Sequence, residues 1–251
     1  MKDFKNYAPS RDLLKDRVIF ISGSSRGLGK ICALCFASYG ASVVIHGRNM
    51  KHLEQVYDQI LTEGGTEPYA ISLDFVNASE KDFFTISHEI EKQFGRLDGI
   101  VHNAVFLDPL SPLKNKTFAS WRRSVDVNLL APALINKACL PLLEESPDAS
   151  VIHVSESHAN RNAEYWGQYA ASKGAMEILT LTQSRETSST GSLRFNILVP
   201  GIIRTPSRQT IFPGELPETQ TAPENIMPAF LFLIGPDSRR VNGQKLHAQI
   251  D

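Results

Sequence analysis

Val18-Ile19-Phe20-Ile21-Ser22 runs directly into Gly23-Ser24-Ser25-Arg26-Gly27-Leu28-Gly29, and the reading of this junction decides the fold. A short apolar run, with charge before it and glycine after it, is the pattern of a strand buried on both faces. From Gly27 to Tyr39 small and apolar residues dominate, and Gly40 follows as a natural stop, so this segment is expected to be a helix. Glycines between strand and helix let the chain turn tightly and bring backbone N–H groups against a pyrophosphate at the helix N-terminus. The spacing G-x-x-x-G-x-G is not a nucleotide-triphosphate loop, because Ile31 follows Lys30 where a Mg²⁺-holding Ser or Thr would be needed. Gly23, Ser25, Arg26, Gly27, Leu28 and Gly29 are thus candidate dinucleotide-binding residues.

Outward from this junction the chain alternates. Ala41–His46 is a second apolar strand, and Met50–Leu61 places Leu53, Val56, Tyr57 and Ile60 at helical spacing. Ala70–Leu73, Gly99–His102, Ser150–Ser155, Leu193–Val199 and Gln244–Ala248 read as further strands. Ser79–Phe94, Phe118–Leu143 (one helix or two), Gly167–Arg185 and Glu224–Leu233 read as helices. Repeated βα units with apolar strands predict a doubly wound α/β fold, a parallel sheet of about seven strands with helices on both faces. The whole of 1–251 reads as one domain, with a polar N-terminal extension over 1–16 and a Pro- and Thr-rich substrate loop over 206–222.

Bulk properties narrow the function. Twenty-six basic against 27 acidic residues, a formal charge of −1, give no footprint for nucleic acid or an anionic membrane surface. The first 16 residues lack the apolar core of a signal peptide, and no stretch reads as the ~18 consecutive apolar residues of a membrane span. Three cysteines, Cys32, Cys35 and Cys139, form no disulfide framework and suit a reducing cytoplasm. Cys32 and Cys35 make a C-x-x-C, but inside a helix among apolar residues, where a thiol is core material rather than a redox pair. The histidines lack metal-ligand spacing, so no metal site is expected.

The second strand indicates which nicotinamide cofactor to expect. NAD-binding domains usually place an acid at its tip to bond the ribose hydroxyls. Here the tip reads His46-Gly47-Arg48-Asn49. A carboxylate would repel a 2′-phosphate, whereas a guanidinium grips it with two hydrogen bonds. Arg48 and Arg26 together favour NADP(H) over NAD(H).

Tyr169-Ala170-Ala171-Ser172-Lys173 sets Tyr169 and Lys173 one turn apart on a helix face. With six tyrosines, such a pair arises by chance in roughly a quarter of chains, so its position after the fifth strand is what counts. A free phenol near pKa 10 is too weak an acid for proton exchange at neutral pH, and a neighbouring ammonium is expected to lower it.

In this order the motifs resemble the short-chain dehydrogenase/reductase family, over nearly the whole chain. The resemblance rests on the Gly23/Gly27/Gly29 turn, Asp74 after the third strand, Asn103-Ala104 after the fourth, and Asn128 in Val-Asn-Leu. It is completed by Tyr169/Lys173 and Pro200-Gly201-x-x-x-Thr205. Arg96-Leu97-Asp98-Gly99, Trp166-Gly167-Gln168-Tyr169, Ile226-Met227-Pro228 and Asp237-Ser238-Arg239-Arg240 are most similar to bacterial oxidoreductases of the YciK type. The resemblance implies a Rossmann fold and hydride exchange between NADP(H) and a small carbonyl or alcohol. It implies Tyr169 as general acid/base, and Lys173 assisting it and binding the nicotinamide ribose. Asn128 would hold a water, Asn103 and Ala104 would line the cofactor, Asp74 and Phe75 its adenine side and Thr205 its carboxamide, with Pro200 and Gly201 also binding the cofactor. It further implies homodimers or homotetramers through the helices around Asn128 and Tyr169.

The family expects a serine about 13 residues before the tyrosine, and position 156 is glutamate, flanked by Ser155 and Ser157. A carboxylate accepts hydrogen bonds but cannot donate one to a substrate oxygen. A loop one residue shorter would make Ser157 the catalytic hydroxyl, and that is the expectation here. The alternative is a protein that binds NADP, catalyses weakly or not at all, and acts through a partner. Two further departures are Val105, where the usual Asn-Asn-Ala-Gly has glycine, and the absent Gly-Gly after the last strand.

Overall fold

The computed structural model describes residues 4, 7–157, 163–189 and 191–249. Among these described residues seven strands form one parallel sheet in the order β3-β2-β1-β4-β5-β6-β7. These are β1 (Val18–Ser22), β2 (Ser42–Gly47), β3 (Tyr69–Ser72), β4 (Gly99–His102), β5 (Ala149–Val154), β6 (Leu193–Val199) and β7 (Lys245–His247). The order reverses between β1 and β4, which pair directly from Ile19–Gly99 to Ser22–His102. The loops that leave their carboxyl ends therefore diverge and open a crevice.

Among the described residues the α-helices are α1 (Gly27–Ser38), α2 (Met50–Thr62), α3 (Glu80–Phe94), α4 (Phe118–Val125), α5 (Ala131–Glu145), α6 (Gly167–Glu186), α7 (Pro206–Ile211) and α8 (Met227–Ile234). Alternation along each strand sorts the core into two layers. Ile19, Ile21, Val43 and Ile45 point to one face and pack with Phe36 of α1, Val56 of α2 and Phe230 of α8. Val18, Phe20, Ile100 and Phe195 point to the other and pack with Ile86 of α3 and Ile135 of α5. That is why strands buried on both faces show no polar alternation.

Two expected boundaries change. Phe118–Glu145 is one continuous rod with a π-helical turn at Asp126–Leu130 between α4 and α5. This 28-residue rod, whose most apolar 18-residue window has a mean hydropathy of 1.2, is long and apolar enough to cross a membrane by length and composition. Half of its most apolar window is buried within the protein, as in the core helix of a compact domain. Within the expected 206–222 loop, Pro206–Ile211 forms α7, whose Thr205 hydroxyl accepts the Arg208 N–H at 3.2 Å. A threonine cap followed by proline at the first helical position is a helix start signal inside that stretch.

The amino ends of the central strands are closed by a buried ionic cluster. Arg17 donates to Asp148 Oδ2 at 2.7 Å, and Arg194 pairs with the other carboxylate oxygen. Burial pushes the Asp148 carboxyl up, but Arg194 and Arg17 outweigh it and leave it below its ordinary value. In α1, Cys32 is buried and its thiol raised well above the ordinary range, while burial pushes Cys35 up to about 12. Neither thiol is a redox group at neutral pH.

Candidate active site

The glycine turn is clamped from three sides. A Cβ on Gly29 would lie 2.5 Å from Asn103 Nδ2 and closer still to the Gly23 carbonyl, so only glycine fits. Gly23 has φ +68 and its missing Cβ would meet the Ala104 backbone at 2.8 Å. Asn103 Nδ2 donates to the Ser22 and Gly23 carbonyls (3.2 and 3.0 Å), while its own N–H and that of Ala104 donate to Ser22 Oγ at 3.1 and 3.0 Å. Asn103 thus ties the end of β4 to the turn after β1. From below, the Gly23 N–H donates to His46 Nδ1 (3.3 Å), and His46 Nε2 lies 3.1 Å from the Leu73 carbonyl. Donation from Nε2 and acceptance at Nδ1 require the neutral ring, and burial lowers its pKa to about 4. Phe75 stacks on it at 4.3 Å and 10°.

One cavity of about 480 Å³ runs from this turn across the carboxyl ends of the sheet. At one end Arg26 and Arg48 line it, both exposed, and neither makes an ion pair with a described residue. Asp74 lines the same end and organises its own turn, accepting from Val76 N–H (3.3 Å) and Asn77 Nδ2 (3.0 Å).

At the other end Tyr169 and Lys173 line the cavity from α6. Lys173 Nζ donates to the Val154 carbonyl at 2.8 Å and lies 6.0 Å from the Tyr169 ring centroid. Burial lowers Lys173 to about 8, against Glu156 and Glu177, which raise it. Tyr169 departs from expectation. Burial and then the Glu156 carboxylate push its hydroxyl above the ordinary value, and the Lys173 amine is directed to a carbonyl rather than to the phenol.

The 155–157 stretch divides its roles. Ser155 is buried and its hydroxyl donates to Glu177 at 2.5 Å. Glu156 lines the cavity, and both the N–H and hydroxyl of Ser157 donate to it at 2.8 Å. Ser157 is not among the residues that line the cavity.

A family model described as short chain dehydrogenase matches residues 17–216 of this chain. The chain belongs to the short chain dehydrogenase family. It is 36% identical over 244 residues, 97% of this chain and 96% of its relative, to the uncharacterized oxidoreductase YciK of Escherichia coli strain K12. A solved structure of a proposed short chain dehydrogenase from Escherichia coli CFT073, complexed with NADPH, is similar with a TM-score of 0.93 at 37% identity. That match covers 96% of this chain and 100% of the other. Another from Pseudomonas syringae, at 38% identity, has a TM-score of 0.93 and covers 97% and 99%.

In this short chain dehydrogenase, Gly23, Ser25, Arg26, Gly27, Leu28 and Arg48 meet in one cavity with Phe75, Asn103, Ala104, Pro200, Gly201 and Thr205. Gly29 and Asn128 sit behind its wall. Asn128 exchanges hydrogen bonds with the Phe106 backbone (2.8 and 2.9 Å) and donates to Ser172 at 3.0 Å, so its side chain fixes the loop after β4. Val105 is accommodated because the described non-glycine residues in the left-handed region are Asp16 and Tyr165. In place of a terminal Gly-Gly, Gln249 donates to the Pro200 and Ile202 carbonyls at 2.8 and 3.0 Å and steadies the Pro200-Gly201 turn. Reading the motifs missed His46, Ser22 and the aromatic pair Trp166–Phe212 (6.2 Å) at the Tyr169 end of the cavity. For His46 the available signal was a histidine at the tip of a strand that pairs beside the glycine turn.

Proposed function

We propose that this oxidoreductase moves hydride between NADP(H), in preference to NAD(H), and a small carbonyl or alcohol. Tyr169 is the general acid in reduction and the base in oxidation, and Lys173 assists it. The observation that carries this reading is that Tyr169, Lys173 and the glycine turn share one cavity. The cradle fits a dinucleotide: Gly23 and Gly29 leave no room for a Cβ, and the cations Arg26 and Arg48 on the same cavity support the preference for a 2′-phosphate. The bound nicotinamide supplies or accepts the hydride. A Tyr169 hydroxyl held above its ordinary value keeps its proton near neutral pH but gives it up less readily than a free phenol. Donation therefore requires positive charge brought closer to the phenol than Lys173 stands here. Lys173, at about 8, can pass a proton on near that pH. We further propose a cytoplasmic homodimer or homotetramer formed through α4–α6, where Phe118, Leu130 and Ile178 are exposed.

A second reading, an NADP-binding protein with weak or no catalysis, is favoured by Glu156 in the reacting corner. NADPH oxidation against ketones, aldehydes and quinones decides between them, with wild type run beside Tyr169→Phe. Turnover that falls at least ~100-fold in the variant supports the reductase, in line with the usual contribution of a general acid. Equal silence of both proteins across the panel supports the binding reading.

A further inference from the structure

We propose that a second cavity, at the amino end of β6, is a binding site for a phosphate group. It measures about 150 Å³ and opens where the chain leaves α6, enters β6 and approaches β7. Arg194, Arg239 and Arg240 line it with Ser192 and Asn242, and no carboxylate lines it among the described residues. Leu193, the first residue of β6, borders this cavity, and Pro200, just past the last, borders the one that holds Tyr169. The 7 residues of the strand set the two roughly 20 Å apart. The site therefore stands apart from hydride transfer and does not depend on it.

The balance of charge carries the inference. One buried carboxylate, Asp148, is shared by three guanidiniums: Arg17 at 2.7 Å, Arg194, and Arg239 at 3.5 Å. Arg240 adds a further cation and makes no ion pair with a described residue. Asp98, whose carbonyl accepts from Arg17, has its carboxylate taken by Arg96 through two hydrogen bonds. Asp237 accepts from the Tyr7 hydroxyl at 2.8 Å and does not line the cavity. Burial first, and then Arg17 and Arg239, lower Arg194 against the pull of Asp148, the direction expected where positive charge is in excess. Thr190 lies outside the described residues and carries no charge, so this balance stands without it.

The negative end of α6 does not answer this charge, because its last carbonyls are already bonded. That of Gln183 accepts from the Thr187 N–H and hydroxyl at 3.1 and 2.9 Å, that of Ser184 from Asn242 Nδ2 at 2.8 Å, and that of Arg185 from the Ser188 hydroxyl at 2.8 Å. Arg194, 3% exposed, is fixed in place before any ligand arrives: it donates to Ser238 Oγ at 2.9 Å and to the Gly235 carbonyl at 2.7 Å. Arg239 and Arg240 are exposed and free to turn onto a guest. A phosphate dianion suits this set better than chloride or a monocarboxylate, since its oxygens can meet more than one guanidinium fork at once. The volume admits one such group with a few waters.

The test titrates inorganic phosphate into the protein by calorimetry at constant ionic strength. The full chain carrying Arg26→Ala and Arg48→Ala serves as the parent, so that the cofactor end of the large cavity does not take the ion. The expected result is one phosphate per chain with a Kd below about 1 mM, weakened at least ~10-fold when Arg239→Gln and Arg240→Gln are added. The melting temperature of the parent should rise with phosphate more than with chloride at equal ionic strength, and the difference should vanish in the added variant. Both arginines are exposed, and an unchanged circular dichroism spectrum separates loss of the site from loss of the fold. In the parent, the amide resonances of Ser192, Arg240 and Asn242 should shift as phosphate is added. Glycerol 3-phosphate distinguishes the source: affinity equal to that of inorganic phosphate or higher assigns the site to a phosphate monoester, and weaker binding assigns it to the free ion. A Kd above about 1 mM, binding that survives Arg239→Gln with Arg240→Gln, or equal stabilisation by chloride overturns the proposal.

Discussion

Gly29 and the two arginines show how much of the cofactor reading rests on single side chains. A methyl group at Gly29 would collide with Asn103 and with the Gly23 carbonyl, and both are held by hydrogen bonds rather than free to move away. Gly29→Ala is therefore expected to abolish NADPH binding even where the protein still folds, which titration of NADPH fluorescence would check. Arg26 and Arg48 line the end of the cavity away from Tyr169 and Lys173, with no acidic partner among the described residues. If they grip a 2′-phosphate, replacing either by Ala should weaken NADPH binding by about 2 kcal/mol, roughly 30-fold, and leave NADH within a factor of about 3. An equal loss for both cofactors would show that the arginines act on the common part of the dinucleotide. His46 is a subtler case. Its pairing with the Gly23 N–H makes the shape of the turn depend on a neutral ring, a dependence that no spacing in the sequence reveals.

Among the elements, α7 and the ionic cluster beneath the sheet make opposite predictions. A helix of six residues is marginal on its own, and α7 relies on the Thr205 cap and on Pro206 at its first turn. Thr205→Ala should cost α7 about 1 kcal/mol, roughly a fivefold loss of its ordered population. KM should rise severalfold while the global melting temperature stays within about 2 °C. A fall in melting temperature at constant KM would make α7 a structural brace instead of a wall of the site. Asp148 is the reverse. It neutralises Arg17 and Arg194 at the amino ends of the strands, away from the cavity, so Asp148→Ala leaves two buried guanidiniums unpaired. Urea denaturation should show a loss of about 3–5 kcal/mol, with KM for NADPH unchanged in whatever protein remains folded.

Over the whole molecule, buried histidines set the dependence of stability on pH. Burial lowers His46 and His102 to about 4, and His153, stacked on His102 at 4.5 Å, falls well below its ordinary 6.5. The unfolded chain binds these protons near pH 6.5 and the folded protein does not. The stabilisation is therefore complete above pH 6.5 and is lost as pH falls toward 4. For His46 and His102 the loss is about 3 kcal/mol each over that window, enough to unfold a domain of ordinary stability. Urea midpoints measured from pH 8 to pH 4.5 should fall steeply below 6.5, and more gently in His102→Asn. A flat profile would mean that the rings gain partners which keep them charged.

The parallel sheet and the position of the cofactor turn were legible because they rest on local patterns: apolar runs of strand length, helical spacing, and glycines at a strand–helix junction. The same holds for Tyr169 and Lys173, one helical turn apart. Residues 155–157 were not legible. Three consecutive polar side chains differ in direction by backbone geometry, and their partners Glu177 and Tyr169 come from a helix that begins after the loop. The expected rescue by Ser157 depended on a count along the chain, whereas the hydroxyl's direction depends on how β5 meets α6. His46, Asn128 and Trp166 follow the same rule. Local sequence determined which elements form and in what order. Contacts between residues far apart in the chain decided which side chain faces the cavity, which is spent holding the wall, and which protons are lost on burial.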